Sequence, residues 1–289
     1  MTATAATPGA GAGTGETGPK PAQSWRSGPR AAIKTRTLRT DRWWAEPAVT
    51  ATVLLSFVVY STWAAFQNAN YYKAPYLSPF YSPCIATVCQ SVRDGAVHGV
   101  HAPTVGIVGP WWAISPAILI LIVPLGFRFS CYYYRKAYYR AIWQSPTACA
   151  VGEPHKRYKG ESRFPLILQN VHRYFFYLGL LLNCILTWDA VEAYHFPNGW
   201  GMGFGSLMLT LNAVFLWSYS LSCHSCRHIV GGRLKHFSKH PLRYKFWGFV
   251  SKLNTRHMQI AWVSLIFVAL TDLYVRLYAS GWVHDPRFF

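Results

Sequence analysis

Two thiols and two imidazoles fall within six residues, Cys223-His224-Ser225-Cys226-Arg227-His228, at the close of an apolar stretch that begins near Gly203. These are the side chains that hold iron–sulfur clusters, haem iron and zinc. At about 100° per residue on an unbroken helix, Cys223 and Cys226 share one face, and His224 and His228 share an adjacent one. Such groups are costly at membrane depth, so their presence there points to a redox centre near one face of a bilayer.

The elements that must position this knot are membrane spans. The chain has 289 residues, 52% hydrophobic and only 13% charged, against about 25% charged in a soluble domain. Five apolar segments, at about 48–68, 109–134, 165–194, 202–226 and 256–279, each meet or exceed the roughly 20 residues that cross a bilayer as a helix. The expected fold is therefore an all-α integral membrane protein, a bundle of five transmembrane helices. Lys and Arg number seven before Pro47, eight from Arg128 to Arg163 and eight from Arg227 to Arg256, which is 23 of 28. Basic loops stay in the cytoplasm, which puts the N-terminus inside and the C-terminus outside. That rule also accounts for most of the net charge of +18, leaving no need for a nucleic-acid partner.

Two domains are expected: a disordered basic tail at 1–40 and the transmembrane domain at 41–289. No removable signal peptide is expected. Trp43 and Trp44 suit the headgroup level, and Pro47 suits the first turn of span one. In the external connection, Cys84 and Cys89 most simply form a small disulfide; His98 and His101 read as ordinary loop residues. Span two carries Pro110, Pro116 and Pro124, which kink or loosen it. It runs into an aromatic and basic stretch, Arg128 to Arg140, suited to the interfacial belt.

Several further ligand types share the depth of the knot. Cys131 ends span two, His172 lies about two turns inside span three, and His257 opens span five. Cys184 is deeper and alone, and reads as a small packed residue. Thiols together with imidazoles suit a Rieske-type [2Fe–2S] cluster. Two facing histidines, His172 with His257 or His224, would serve haem b, and a Cys and His shell would serve structural zinc. The plainest alternative is that these groups only hydrogen-bond and pack at polar helix ends. A second HxxxH, His236 and His240, is reminiscent of histidine-box di-iron desaturases and hydroxylases, but the chain lacks the adjacent His pair those enzymes need.

The runs SCYYYRKAYYR at 130–140, RFPLILQNVHRYFFY at 163–177, SCHSCRH at 222–228 and HPLRYKFWGFVSKLN at 240–254 resemble the membrane-anchor subunit of actinobacterial succinate dehydrogenase. The similarity is to the single-anchor class that includes mycobacterial succinate dehydrogenase 1. It covers about 40–289. The resemblance implies a respiratory complex II of the tricarboxylic acid cycle. Its flavoprotein partner would oxidise succinate at FAD, and its iron–sulfur partner would pass electrons through further clusters to the anchor. It also implies a quinone, menaquinone more than ubiquinone, and a Rieske-type cluster in place of haem. The complex would sit in the plasma membrane with its soluble partners on the cytoplasmic side; its oligomeric state stays open. The metal-ligand candidates are Cys131, His172, Cys223, His224, Cys226, His228 and His257. For the quinone they are Tyr132, Arg135, Trp143, Arg243 and Trp247, with interfacial anchoring as the alternative role for each.

Overall fold

The computed structural model describes residues 41–84, 105–106, 113–151, 164, 166–232 and 234–289. The tail 1–40, Cys89, His98, His101, Pro110 and Pro165 lie outside the described residues. Cys84 is disulfide-bonded; the partner expected for it, Cys89, is outside the described residues.

Among the described residues, four helices are long and apolar enough to cross a membrane: α1 (Ala45–Gln67), α4 (His172–Glu192, entered through a 3-10 turn at Leu166–Val171), α5 (Phe204–Leu221) and α8 (His257–Ala279). A broken pair, α2 (Pro116–Phe129) and α3 (Tyr132–Tyr138, prolonged by a π turn to Trp143), makes a fifth candidate. Two shorter helices, α6 (His224–Gly231) and α7 (Pro241–Asn254), stand between α5 and α8. The chain is thus a helical membrane protein. Three two-residue hairpins, such as Tyr72–Lys73 with Tyr76–Leu77, close connections between helices.

Two breaks depart from the sequence expectation. In span two Pro116 takes the N-terminal position of α2 and Pro124 lies within it, and the sharp turn comes after both. The span turns by 82° at Ser130–Cys131. Ser130 Oγ donates to the Gly126 carbonyl at 2.6 Å, a back-bond that bends helices, and Cys131 is extended (φ −67°, ψ 131°). Gly126 is required there, because a Cβ would lie 2.3 Å from the Phe175 ring. Span four likewise ends at Leu221 rather than running on to residue 226. Ser222 caps α5, Cys223 is extended (φ −65°, ψ 142°), and α6 begins at His224. The six-residue knot is therefore a helix break followed by a new helix, and helical phase cannot be carried across it.

Away from the basic loops, an ion pair ties α8 to α1. Arg276 and Asp272 are 4% and 0% exposed, with Nε donating to Oδ2 at 2.8 Å. The rest of the guanidinium donates to Gln67 Oε1 (2.6 Å) and to the carbonyls of Ala64 and Ala69 (both 2.9 Å), which the end of α1 leaves unbonded. Asp272 accepts from the hydroxyls of Tyr60 and Ser78. Removing one member of a satisfied buried pair strands the other charge. Asp272→Ala should therefore cost about 3–5 kcal/mol, whereas Asp272→Leu combined with Arg276→Met should cost less than either single change. Denaturant titration of the purified protein in detergent checks both, and equal or larger loss in the double variant would contradict this reading.

Candidate redox site at the basic end of the bundle

Each helix break is a Ser–Cys dipeptide, and each long helix that faces a break opens on a histidine. His172 is the first residue of α4 and His257 the first of α8. His172 Nδ1 lies 2.8 Å from Ser130 Oγ, and its Nε2 lies 3.2 Å from Cys223 Sγ. His257 repeats the arrangement with the breaks exchanged: Nδ1 lies 2.7 Å from Ser222 Oγ, and Nε2 lies 3.5 Å from Cys131 Sγ. Each dipeptide thus gives its hydroxyl to one imidazole and its thiol to the other.

The hydroxyls fix the tautomers. A serine has one proton to give, and Ser130 gives it to the Gly126 carbonyl while Ser222 gives its own to Tyr219 O at 3.0 Å. Both Oγ atoms must then accept, so each histidine carries its proton on Nδ1 and donates it to serine. Each Nε2 keeps its lone pair, which accepts from the thiol it faces. An imidazole oriented through its far nitrogen is how proteins prepare a histidine for metal.

Burial and stacking hold the rings. His257 is 2% exposed, and Cys131 and Cys223 are each 1% exposed. Phe127 stacks on His172 at 5.0 Å and 16°, and Tyr219 stacks on His257 at 5.1 Å and 8°. The turn entering α4 is pinned by Gln169, which donates to Tyr138 OH at 2.6 Å and accepts from Tyr139 OH at 3.0 Å. The Asn254 amide donates to the Ser222 carbonyl at 2.8 Å, tying α7 to the break after α5. Just past the end of α5, burial pushes the Cys223 thiol up to about 12, so without a metal it stays protonated.

Four of the seven candidate ligands, Cys131, His172, Cys223 and His257, are brought together. Cys226 is buried on α6 but has no described bond to an imidazole, and His224 and His228 are exposed on the same helix. His236 and His240 are also exposed. Cys184, expected to be packed, is exposed on the outside of α4. Among the described residues, no three His, Cys, Asp or Glu side chains converge as a site for a single ion; the four donors form two pairs.

Of the quinone candidates, Tyr132 and Trp143 are 60% and 41% exposed, and the Arg135 guanidinium lies 5.2 Å above the Tyr132 ring. Arg243 instead donates to the carbonyls of Ile229, Val230 and Gly232 at the end of α6. Trp247 lies under Arg227 at 5.1 Å. A groove of about 480 Å³ between α4 and α5, lined by Thr187, Tyr194, Thr210, Trp217 and Phe249 among others, includes none of the five.

A family model described as actinobacterial succinate dehydrogenase subunit SdhC matches residues 45–281. The chain belongs to that family. A chain of the Mycobacterium smegmatis Sdh1 complex in the apo form is 53% identical, with a TM-score of 0.78, over 91% of this chain and 98% of that one. No curated protein matches. As a member of the SdhC family, the chain is a multi-pass membrane anchor and a subunit of succinate dehydrogenase, separate from the part that oxidises succinate.

Sequence reasoning missed Ser130 and Ser222, although the signal was present. Both lie in quoted runs, and each directly precedes a cysteine that was singled out. Asp272 and Asp285 were missed as well. Asp285 accepts from Tyr76 OH (2.6 Å), Tyr274 OH and the Gly205 amide (2.8 Å) at the start of α5. The burial of the two thiols gives a direct check. With metal-free protein at pH 8, maleimide should label exposed Cys149 and spare Cys131 and Cys223, as read by peptide mass spectrometry. Cys223 should react at that pH only once the protein is denatured, because burial both hides the thiol and withholds its thiolate. Ready labelling of Cys223 in the folded protein at pH 8 would contradict its placement.

Proposed function

We propose that this chain carries electrons from the iron–sulfur subunit of succinate dehydrogenase to a membrane quinone through a Rieske-type [2Fe–2S] centre held by Cys131, Cys223, His172 and His257. The observation that carries the reading is the crossed pairing, in which two prepared Nε2 lone pairs each face a buried thiol. A Rieske-type cluster takes two thiolates on one iron and two imidazoles on the other, so the two thiols and two imidazoles brought together here match its donor set, while the described residues bring no three donors to one point as a single zinc ion would need. Thiols standing at both Nε2 atoms also favour mixed Cys and His ligation over haem between facing histidines. When bound, such a centre accepts one electron at a raised potential.

The protein's own part is to place and insulate. The hydroxyls of Ser130 and Ser222 hold the imidazoles in the ligating tautomer, and Phe127 and Tyr219 cover their faces. The two breaks deliver the thiols, with Ser130 and Ser222 each bonding back to a carbonyl of the helix they end. Tyr132 and Trp143, both exposed, and half-buried Arg135 are the favoured quinone candidates, on the helix that Cys131 caps and the π turn that prolongs it. Counting α2 and α3 as one broken span, five spans put the N-terminus and basic loops in the cytoplasm and the C-terminus outside the plasma membrane. The basic end then receives the flavoprotein and iron–sulfur subunits. The 53% identity to a chain of the Sdh1 complex supports this assembly.

EPR of the purified, reduced complex tests the reading. A mixed-ligand [2Fe–2S] signal is expected in the wild type and should be lost in His172→Ala and Cys223→Ala, while Cys226→Ala and His228→Ala keep it. A Soret band with no such signal would replace it with the haem reading. Ser130→Ala and Ser222→Ala should each lower cluster retention about 10–100-fold, measured as iron and sulfide per complex.

A further inference from the structure

Arg128 closes α2 beside the site, and its side chain turns inward. One guanidinium nitrogen donates to Tyr134 OH at 2.6 Å and to the Ala261 carbonyl at 3.4 Å; the other donates to Ser264 Oγ at 2.8 Å. The guanidinium also lies 4.7 Å above the Tyr219 ring, whose stacking partner is His257. All these partners are neutral. Among the described residues, no carboxylate lies within ion-pair distance of Arg128: Asp272 is taken by Arg276 and Glu46 by Arg140. Tyr134 passes its own proton to the Ala261 carbonyl, so it offers only its oxygen. A half-buried cation held by neutral groups, one ring from a site with two thiols, lacks its counter-charge.

We propose that Arg128 is a positioning residue that supplies the positive charge balancing the electron taken up at the Cys131–Cys223–His172–His257 site. This deepens the cofactor reading above and rests on it. Reduction adds one negative charge to the site, and a nearby fixed cation in a medium poor in water favours the charged state. Arg128 thereby raises the midpoint potential while touching neither metal nor quinone. Arg135, whose guanidinium lies 5.2 Å above the Tyr132 ring, is a second cation whose charge reaches His172, so of the two cations the test changes Arg128 alone.

The test is redox-poised EPR on the whole purified complex, with steady-state quinone kinetics alongside. A wild-type complex without the mixed-ligand [2Fe–2S] signal would remove the cofactor reading itself, and that outcome is seen before any variant is made. Given the signal, Arg128→Gln should lower the equilibrium constant for reduction about tenfold, which is 59 mV for a one-electron couple. The KM for quinone should stay within twofold. Arg128→Lys keeps the charge and should hold the midpoint near wild type. Ser264→Asp neutralises the guanidinium in place and should lower the midpoint as Arg128→Gln does, so whichever of the two assembles decides. An unchanged midpoint with a raised KM would make Arg128 a quinone ligand. An unchanged midpoint and KM would make it structural, and an equal fall in Arg128→Lys would show that geometry, not charge, matters. Each of these three overturns the proposal.

Discussion

A polar group below the headgroups has no water to turn to, so each one must arrive with a partner. That constraint organises both ends of this bundle. At the basic end, six helix termini meet, each of which would leave backbone groups unbonded. The chain meets the cost by placing serine and cysteine at the breaks and histidine at the facing starts, so that termini and side chains satisfy one another. At the far end, Arg276 closes the carbonyls of α1 and carries Asp272 as its own counter-charge. The apolar spans between need only pack.

The two ends differ in how their polar groups are discharged, and the difference bears on function. The Asp272–Arg276 cluster is balanced: one carboxylate, one guanidinium, and hydroxyls and carbonyls for the remaining bonds. It holds α1, α8 and the first hairpin region in one arrangement. At the basic end the imidazoles bond to hydroxyls and thiols, and among the described residues the guanidinium bonds only to neutral partners, so a positive charge is left without its counter-charge. An imbalance of this kind marks a site built to receive something.

Much of this was legible in the sequence. Composition and the Lys and Arg distribution gave the spans, and shared depth singled out Cys131, His172, Cys223 and His257 together. The error lay in extending helical phase through residues 222–226. There the backbone breaks, so His224 and His228 turn outward although their spacing is right for a shared face. The break was hard to foresee because it comes from a serine back-bond and tertiary support from Asn254, not from proline or glycine. Span two misled in the opposite sense: its prolines suggested kinks, yet the turn falls where there is none. Asp272 went unremarked because one carboxylate in an apolar run gains meaning only from a partner one helical turn away.

The crossed pairing alters what proximity means in this molecule. Ser130 and Cys131 are neighbours in sequence but serve different rings, whereas Ser130 and Cys223 lie in different helices and serve the same one. Energetic coupling should follow the ring: losses at Ser130 and Cys223 fall short of additivity, and losses at Ser130 and Cys131 come closer to summing. Neither half of the site can close before the other, since each break is completed by a histidine that also answers to the second break. The centre therefore behaves as a four-way lock whose last helix to dock, whichever it is, sets both histidines at once.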